Sequence, residues 1–151
     1  MNKKQKSGLR GAHLAAAELI RNGMNAFLTS RNSKGADIIV SDEDGIRQVG
    51  VQVKTNTTQS FFLIASTQEP PVDDRYFYVL VDVRDMKDGT EKIRYYVVPS
   101  KDLQQIMGHD PSEKFPAWLV YLSGKRKIPE FDGYENRWDL IEKVLKGDKT
   151  K

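Results

Sequence analysis

Apolar residues recur at helical spacing near the start of the chain and then switch to the alternation of strands. Leu9, Ala12, His13, Ala16 and Ile20 mark one stripe, and Gly23 suits a left-handed end, so the pattern predicts a helix from Gly8 to Asn22. On this reading residues 1–7 are a disordered basic tail, and Asn25-Ala26-Phe27-Leu28 is a first strand. Residues 36–42 and 46–54 then read as two strands around Asp42-Glu43-Asp44-Gly45, whose Asp-Gly ending favours a tight hairpin. A turn centred there pairs residues whose numbers sum to about 88 or 89. Asp37 then lies across from Gln52 or its immediate neighbour, at the end far from the turn. Residues two apart share a strand face, so Gln52 and Lys54 point one way and Val51 and Val53 the other. A carboxylate, an amide oxygen and an ammonium are therefore expected to converge.

The later pattern is coarser. Phe61 to Ala65 reads as a short strand, and Pro70-Pro71 breaks regular structure. Tyr76 to Val83 is apolar on both faces, which suits a strand in the middle of a sheet. Lys87-Asp88-Gly89-Thr90 turns it into Ile93–Val98, and Ser100 is placed to cap a helix carrying Leu103, Ile106 and Met107. Pro111 and Pro116 bracket a loop before a strand at Trp118–Leu122. A last helix runs from Glu135 to Lys146, with Trp138, Ile141 and Leu145 inward and Gly147 at its end; 148–151 is a polar tail. The order predicts an α/β sandwich, a mixed central sheet flanked by helices, in one domain over residues 8–147.

Composition narrows the chemistry. The 151 residues are 38% apolar and 30% charged, enough for one ordinary core. No run is long enough to span a membrane and no basic-then-apolar leader opens the chain, so a cytoplasmic location is expected. With no cysteine, disulfides, thiolate chemistry and the usual zinc sites are excluded. His13 and His109 are too few for a histidine-rich centre and read as a packed helix residue and part of a polar turn; Trp118 and Trp138 read as core. Any metal would be a hard cation held by oxygen.

Charge is uneven. Lys3, Lys4, Lys6, Arg10, Arg21, Arg31 and Lys34 face only Glu18 within residues 1–35, a balance of +6, whereas residues 36–75 carry seven acids against three bases, or −4. A basic flank beside an acidic hairpin suits a phosphate-binding surface around a cation site; a lysine-rich start that only aids solubility is the plainer alternative. Lys125-Arg126-Lys127 forms a second basic turn.

A helix leading into a strand, Asp37 opening a second strand and Gln52-Val53-Lys54 on a third resemble the PD-(D/E)XK superfamily. Similarity is closer to a group of small bacterial proteins within it. The matching blocks are Ala16-Ala17-Glu18-Leu19, Leu28-Thr29-Ser30-Arg31-Asn32, Gly35-Ala36-Asp37-Ile38, Gln52-Val53-Lys54-Thr55-Asn56, Tyr78-Val79-Leu80-Val81, Val98-Pro99-Ser100-Lys101 and Arg137-Trp138-Asp139-Leu140. The resemblance implies a restriction-endonuclease-like αβββαβ core and Mg²⁺- or Mn²⁺-assisted cleavage of nucleic acid, DNA rather than RNA. It implies Asp37 as main metal ligand, the Gln52 amide oxygen in place of the more usual glutamate, and the Val53 carbonyl as a backbone ligand. Lys54 would orient the attacking water or stabilise phosphorane charge. Lys3, Lys4, Lys6, Arg10, Arg31, Lys34 and the 125–127 turn would meet phosphates, and relatives that cut two strands point to a homodimer.

The family pattern also places a glutamate on the first helix where this chain has Ala12. Glu18 is the nearest stand-in, roughly 240° around the helix and about 9 Å along it. Two functions are therefore carried forward: a metal-dependent endonuclease, and a non-cleaving member that binds nucleic acid or a protein partner. Ala12→Glu discriminates between them: gained metal binding or cleavage would indicate that this position once completed the site.

Overall fold

In the computed structural model, residues 1–30, 35–66, 68–110 and 117–147 are described. Arg31, Lys34, the Pro111–Pro116 loop and the 148–151 tail lie outside them. Helix α1 spans Lys3–Arg21, so most of the expected tail is helical. Its start is a capping box: Gln5 N donates to Asn2 Oδ1 (2.8 Å) and Asn2 N to Gln5 Oε1 (2.9 Å). The first turns carry lysines and no apolar residue, so periodicity alone places the start too late.

Strands β1 (Asn25–Leu28), β2 (Ile38–Ser41) and β3 (Gln48–Asn56) follow, then β4 (Phe61–Ala65), β5 (Tyr76–Asp85) and β6 (Glu91–Pro99). The main sheet has the order β1-β2-β3-β5-β6, antiparallel except for the β3–β5 pair. Ile38 opposes Val51, a sum of 89, as the turn predicts. The crossover between parallel β3 and β5, which an αβββαβ order gives to a helix, is made here by β4 and the following loop. β4 leaves the main sheet to pair with β8 (Ala117–Tyr121), which also pairs with β7 (Gly108–Asp110).

A short 3-10 turn and helix α2 (Leu103–Ile106) follow β6, and α3 covers Asp139–Leu145 after a 3-10 helix at Pro129–Tyr134. Ser100 does not cap α2. Its hydroxyl ties the end of β6 to the segment entering β5, accepting from Asp73 N (2.9 Å) and donating to Asp73 O (2.7 Å). The last helix starts later than Glu135 because Glu135 is extended and Asn136 takes a φ of +56°, neither of which a helix admits.

Alternation along β5 builds two cores. Phe77, Val79 and Val81 face α1, α3 and the inward residues of β2 and β3. Tyr78 and Leu80 face Phe62, Ile64, Leu103, Ile106 and Val120 of the small sheet and α2. The main sheet is thus covered by helices on one face and by a second sheet with α2 on the other. The buried side of α1 is Gly11, Ala12, Ala15, Ala16 and Leu19. Leu9, His13 and Ile20, expected inward, are exposed, because small residues let the helix lie close on β3 and these larger ones turn away.

Candidate functional site

Asp37 stands where β2 begins, after Gly35 turns the chain in with a φ of +104°. Its backbone is held on both sides: Asp37 N donates to Val51 O (2.8 Å), and Thr29 N and Oγ1 donate to Asp37 O (2.9 and 3.2 Å). β3 runs on past this point, and the Asp37 carboxylate accepts from Val53 N, Oδ2 at 2.8 Å. The same Oδ2 accepts from Gln52 Nε2 at 2.8 Å. Asp37 is therefore both a backbone cap and the centre of a polar cluster.

Gln52 is held from its other side by Tyr76, whose hydroxyl donates to Oε1 at 3.0 Å. Tyr76 meets the edge of Tyr78 at 5.6 Å and 84°. Burial raises the Asp37 carboxyl above its ordinary pKa, opposed by Val53 N–H and the Lys54 ammonium. Burial lowers Lys54 below the usual lysine value, with Asp37 opposing the shift and Lys4 adding to it. The Tyr76 phenol is pushed up by burial and by the charge on Asp37.

Gln52 and Lys54 open into a cavity of about 330 Å³ whose wall includes Gly35, Glu69, Tyr76 and Tyr78. Lys54, Ile64, Ala65 and Ser66 also line a cavity of about 810 Å³ that reaches Lys3, Lys4, Ser7 and Gly8 of α1. Its far wall is the loop Thr57–Gln59, fixed by Asn56. That amide donates to Gln59 O (2.7 Å) and buried Asp82 (3.1 Å) and accepts from Gln59 N (3.1 Å). Arg84 completes the network, donating to Asp82 at 3.0 and 3.2 Å and to Gln59 O. A third hollow of about 650 Å³ lies at the opposite end of the hairpin, beside Asp42, Glu43 and Asp44.

The structure brings Asp37, Gln52 and Lys54 together, and places Lys3 and Lys4 along the larger cavity. The remaining candidates lie elsewhere. Glu18 pairs with Arg21 (2.9 Å), seven residues from the Gly11 contact with β3 and so about 10 Å along the helix; it is no accessory acid of this cluster. Ala12 is buried in the core, and a glutamate there would enter apolar packing rather than complete the site. The side of α1 that lines the cavity is Lys4, Ser7 and Gly8, without a carboxylate.

Arg10 turns to Glu91 of β6 in a two-bonded pair (2.8 and 2.6 Å), and Lys6 is exposed without lining either cavity. The 125–127 turn lines neither cavity; Lys127 bonds Asp132 (2.8 Å) and Arg126 lies over the Tyr121 ring (5.9 Å). His109 is in β7, stacked on Trp118 at 4.5 Å, rather than in a turn.

Among the described residues no three His, Asp or Glu gather around one point. Mg²⁺ binds through one or two carboxylates and leaves its other positions to water and phosphate. Asp37 satisfies that minimum, and its Oδ1 has no hydrogen-bond partner among the described residues. The donor set fits such an ion provided the Gln52 amide presents oxygen instead of nitrogen. Tyr76, Thr29 and the Asn56–Asp82 pair escaped the sequence reading. The first and last join β3 to β5, whose parallel register (Gln52 opposite Tyr78, Asn56 opposite Asp82) no hairpin rule reaches.

No family model matches the chain, and no curated protein matches it. Among solved structures the fold is similar to that of a bacterial homing endonuclease, with a TM-score of 0.56 and 18% identity over 100% of both chains. At that identity the likeness concerns the fold.

Proposed function

We propose that this protein is a Mg²⁺-dependent endonuclease acting on DNA. The observation that carries the reading is the meeting of Asp37 with Gln52 and Lys54, the latter two lining one cavity, in the order and spacing of the PD-(D/E)XK pattern. The fold shared with a homing endonuclease supports it. Asp37, the Gln52 amide oxygen and the Val53 carbonyl would hold the metal, which when bound supplies polarised water and neutralises phosphate charge. Val53 N–H keeps the Asp37 carboxylate from swinging away. The Lys54 ammonium, half-buried beside it, faces the place where phosphate charge grows, and there it is worth more than in water. Lys3 and Lys4 receive flanking phosphates along the larger cavity. A homodimer would place two such sites on a duplex.

Plasmid and linear DNA incubated with Mg²⁺ should be cut, and Asp37→Ala or Lys54→Ala should abolish the cutting. Robust cleavage surviving both substitutions would remove this site from consideration. The absence of a carboxylate on the α1 wall favours one second reading, a non-cleaving nucleic-acid-binding protein. That reading expects salt-sensitive DNA binding with neither cleavage nor calorimetric Mg²⁺ affinity.

A further inference from the structure

A carboxylate oxygen only accepts hydrogen bonds, so the Gln52 amide must turn its NH₂ towards Asp37, as it does at 2.8 Å. Its oxygen is then committed to the Tyr76 hydroxyl, 3.0 Å away. In this setting Gln52 offers nothing to a cation beside Asp37. To become a ligand the amide must rotate by half a turn about its last torsion, bringing Oε1 beside the Asp37 oxygens and sending Nε2 to Tyr76. Two oxygens at that distance repel unless a cation lies between them, so inversion and metal binding are one event.

The residue at position 76 decides what inversion costs. A phenol hydroxyl either donates or accepts. Lysine or arginine there could only donate, phenylalanine could do neither, and each would leave a half-buried amide group unpaired in at least one state. We propose that Tyr76 is a positioning residue whose hydroxyl changes from donor to acceptor as the Gln52 amide turns over on Mg²⁺ binding, so that glutamine can serve where a glutamate would need no such partner. The proposal rests on the metal-dependent reading above.

The test follows the Gln52 side-chain NH₂ by ¹⁵N NMR during a Mg²⁺ titration, its signals identified by their loss in Gln52→Glu. They should shift along the same isotherm that calorimetry gives. Tyr76→Phe takes one partner from the amide in both settings, so the free and the loaded protein should each lose about the worth of one ordinary hydrogen bond in stability while Mg²⁺ affinity stays within about threefold of wild type; a larger change either way would mean that the hydroxyl serves one setting only. In the Gln52→Glu background, where a symmetric carboxylate needs no inversion, Tyr76→Phe should leave the affinity unchanged or raise it. Mg²⁺ binding that leaves the Gln52 signals in place would overturn the proposal while the metal-dependent reading stands. Equal loss of Mg²⁺ affinity from Tyr76→Phe in both backgrounds would also overturn it, as a packing defect. A wild-type protein that binds no Mg²⁺ would take down both.

Discussion

Gly11 and Thr55 are in closer contact than any side chain on the helix would allow. A Cβ built on Gly11 would stand 1.8 Å from Thr55 Oγ1 and 3.0 Å from Thr55 Cβ. Turning the threonine side chain relieves the first clash and leaves the second, because Cβ does not move with χ1. Thr55 Oγ1 is itself buried without a hydrogen-bond partner, so the hydroxyl has no better place to go. Gly11→Ala should therefore destabilise the fold despite the gain in helix propensity. Overpacking of about 1–3 kcal/mol against a propensity gain of about 1 kcal/mol leaves a net loss of up to about 2 kcal/mol. Urea unfolding followed by circular dichroism measures it, and a more stable Gly11→Ala protein would contradict the contact. The same contact sets how near Lys3 and Lys4 come to Lys54, so DNA affinity should fall in parallel.

Asn56 is the only buried asparagine among the described residues, and its side chain ties Gln59 of the loop after β3 to Asp82 of β5. Asn56→Ala strips Gln59 of two partners and leaves buried Asp82 leaning on Arg84 alone. The expected cost is about 1–3 kcal/mol, the penalty for unpaired buried polar groups. Hydrogen exchange at Gln59 N–H should rise more than exchange in the β5–β6 ladder. Equal protection at both places would mean that the loop is held by something other than Asn56.

The hairpin was legible in the sequence because everything that specifies it is local. Gly45, with φ +71°, and Asp42, whose Oδ1 accepts from Ile46 N and Arg47 N, fix the turn. Strand parity then carries Asp37 to Gln52. Tyr76 was not legible, because it reaches Gln52 through a parallel pairing across 24 residues, and only the tertiary fold sets that register. The start of α1 was hidden for a different reason: Asn2 and Gln5 form a polar cap, and the turns they begin bury almost nothing. Ala12 shows the limit of matching by spacing. Counting to a pattern placed it at the site, while the helix phase turns it into the core.

Gln52→Glu should have opposite effects with and without metal. Without it, Asp37 loses the NH₂ donor at 2.8 Å and gains a like charge in its place, which raises its pKa further and destabilises the fold by about 1–3 kcal/mol. With Mg²⁺ the added carboxylate draws the ion in, so the same variant should bind it more tightly than wild type. Thermal unfolding at increasing Mg²⁺ reads both effects, as a lower starting midpoint and a steeper rise. A midpoint insensitive to Mg²⁺ in both proteins would argue against a cation at Asp37.

Lys54 gives the clearest dependence on pH. Its pKa in the folded protein lies below the ordinary 10.5, mainly through burial. Below that lowered pKa the ammonium is charged in both the folded and unfolded states, and its burial cost is fully present. Between the lowered pKa and 10.5 the folded protein has released the proton and the unfolded chain still holds it. Stability must then rise with pH across that window, since the unfolded state binds more protons. Lys54→Met keeps the stem and removes the charge. It should be more stable than wild type at neutral pH and lack that alkaline rise, while losing any DNA cleavage. Denaturant midpoints taken from neutral to alkaline pH for the two proteins test this directly. Parallel curves would show that the charge of Lys54 is solvated, and that burial does not hold it poised beside Asp37.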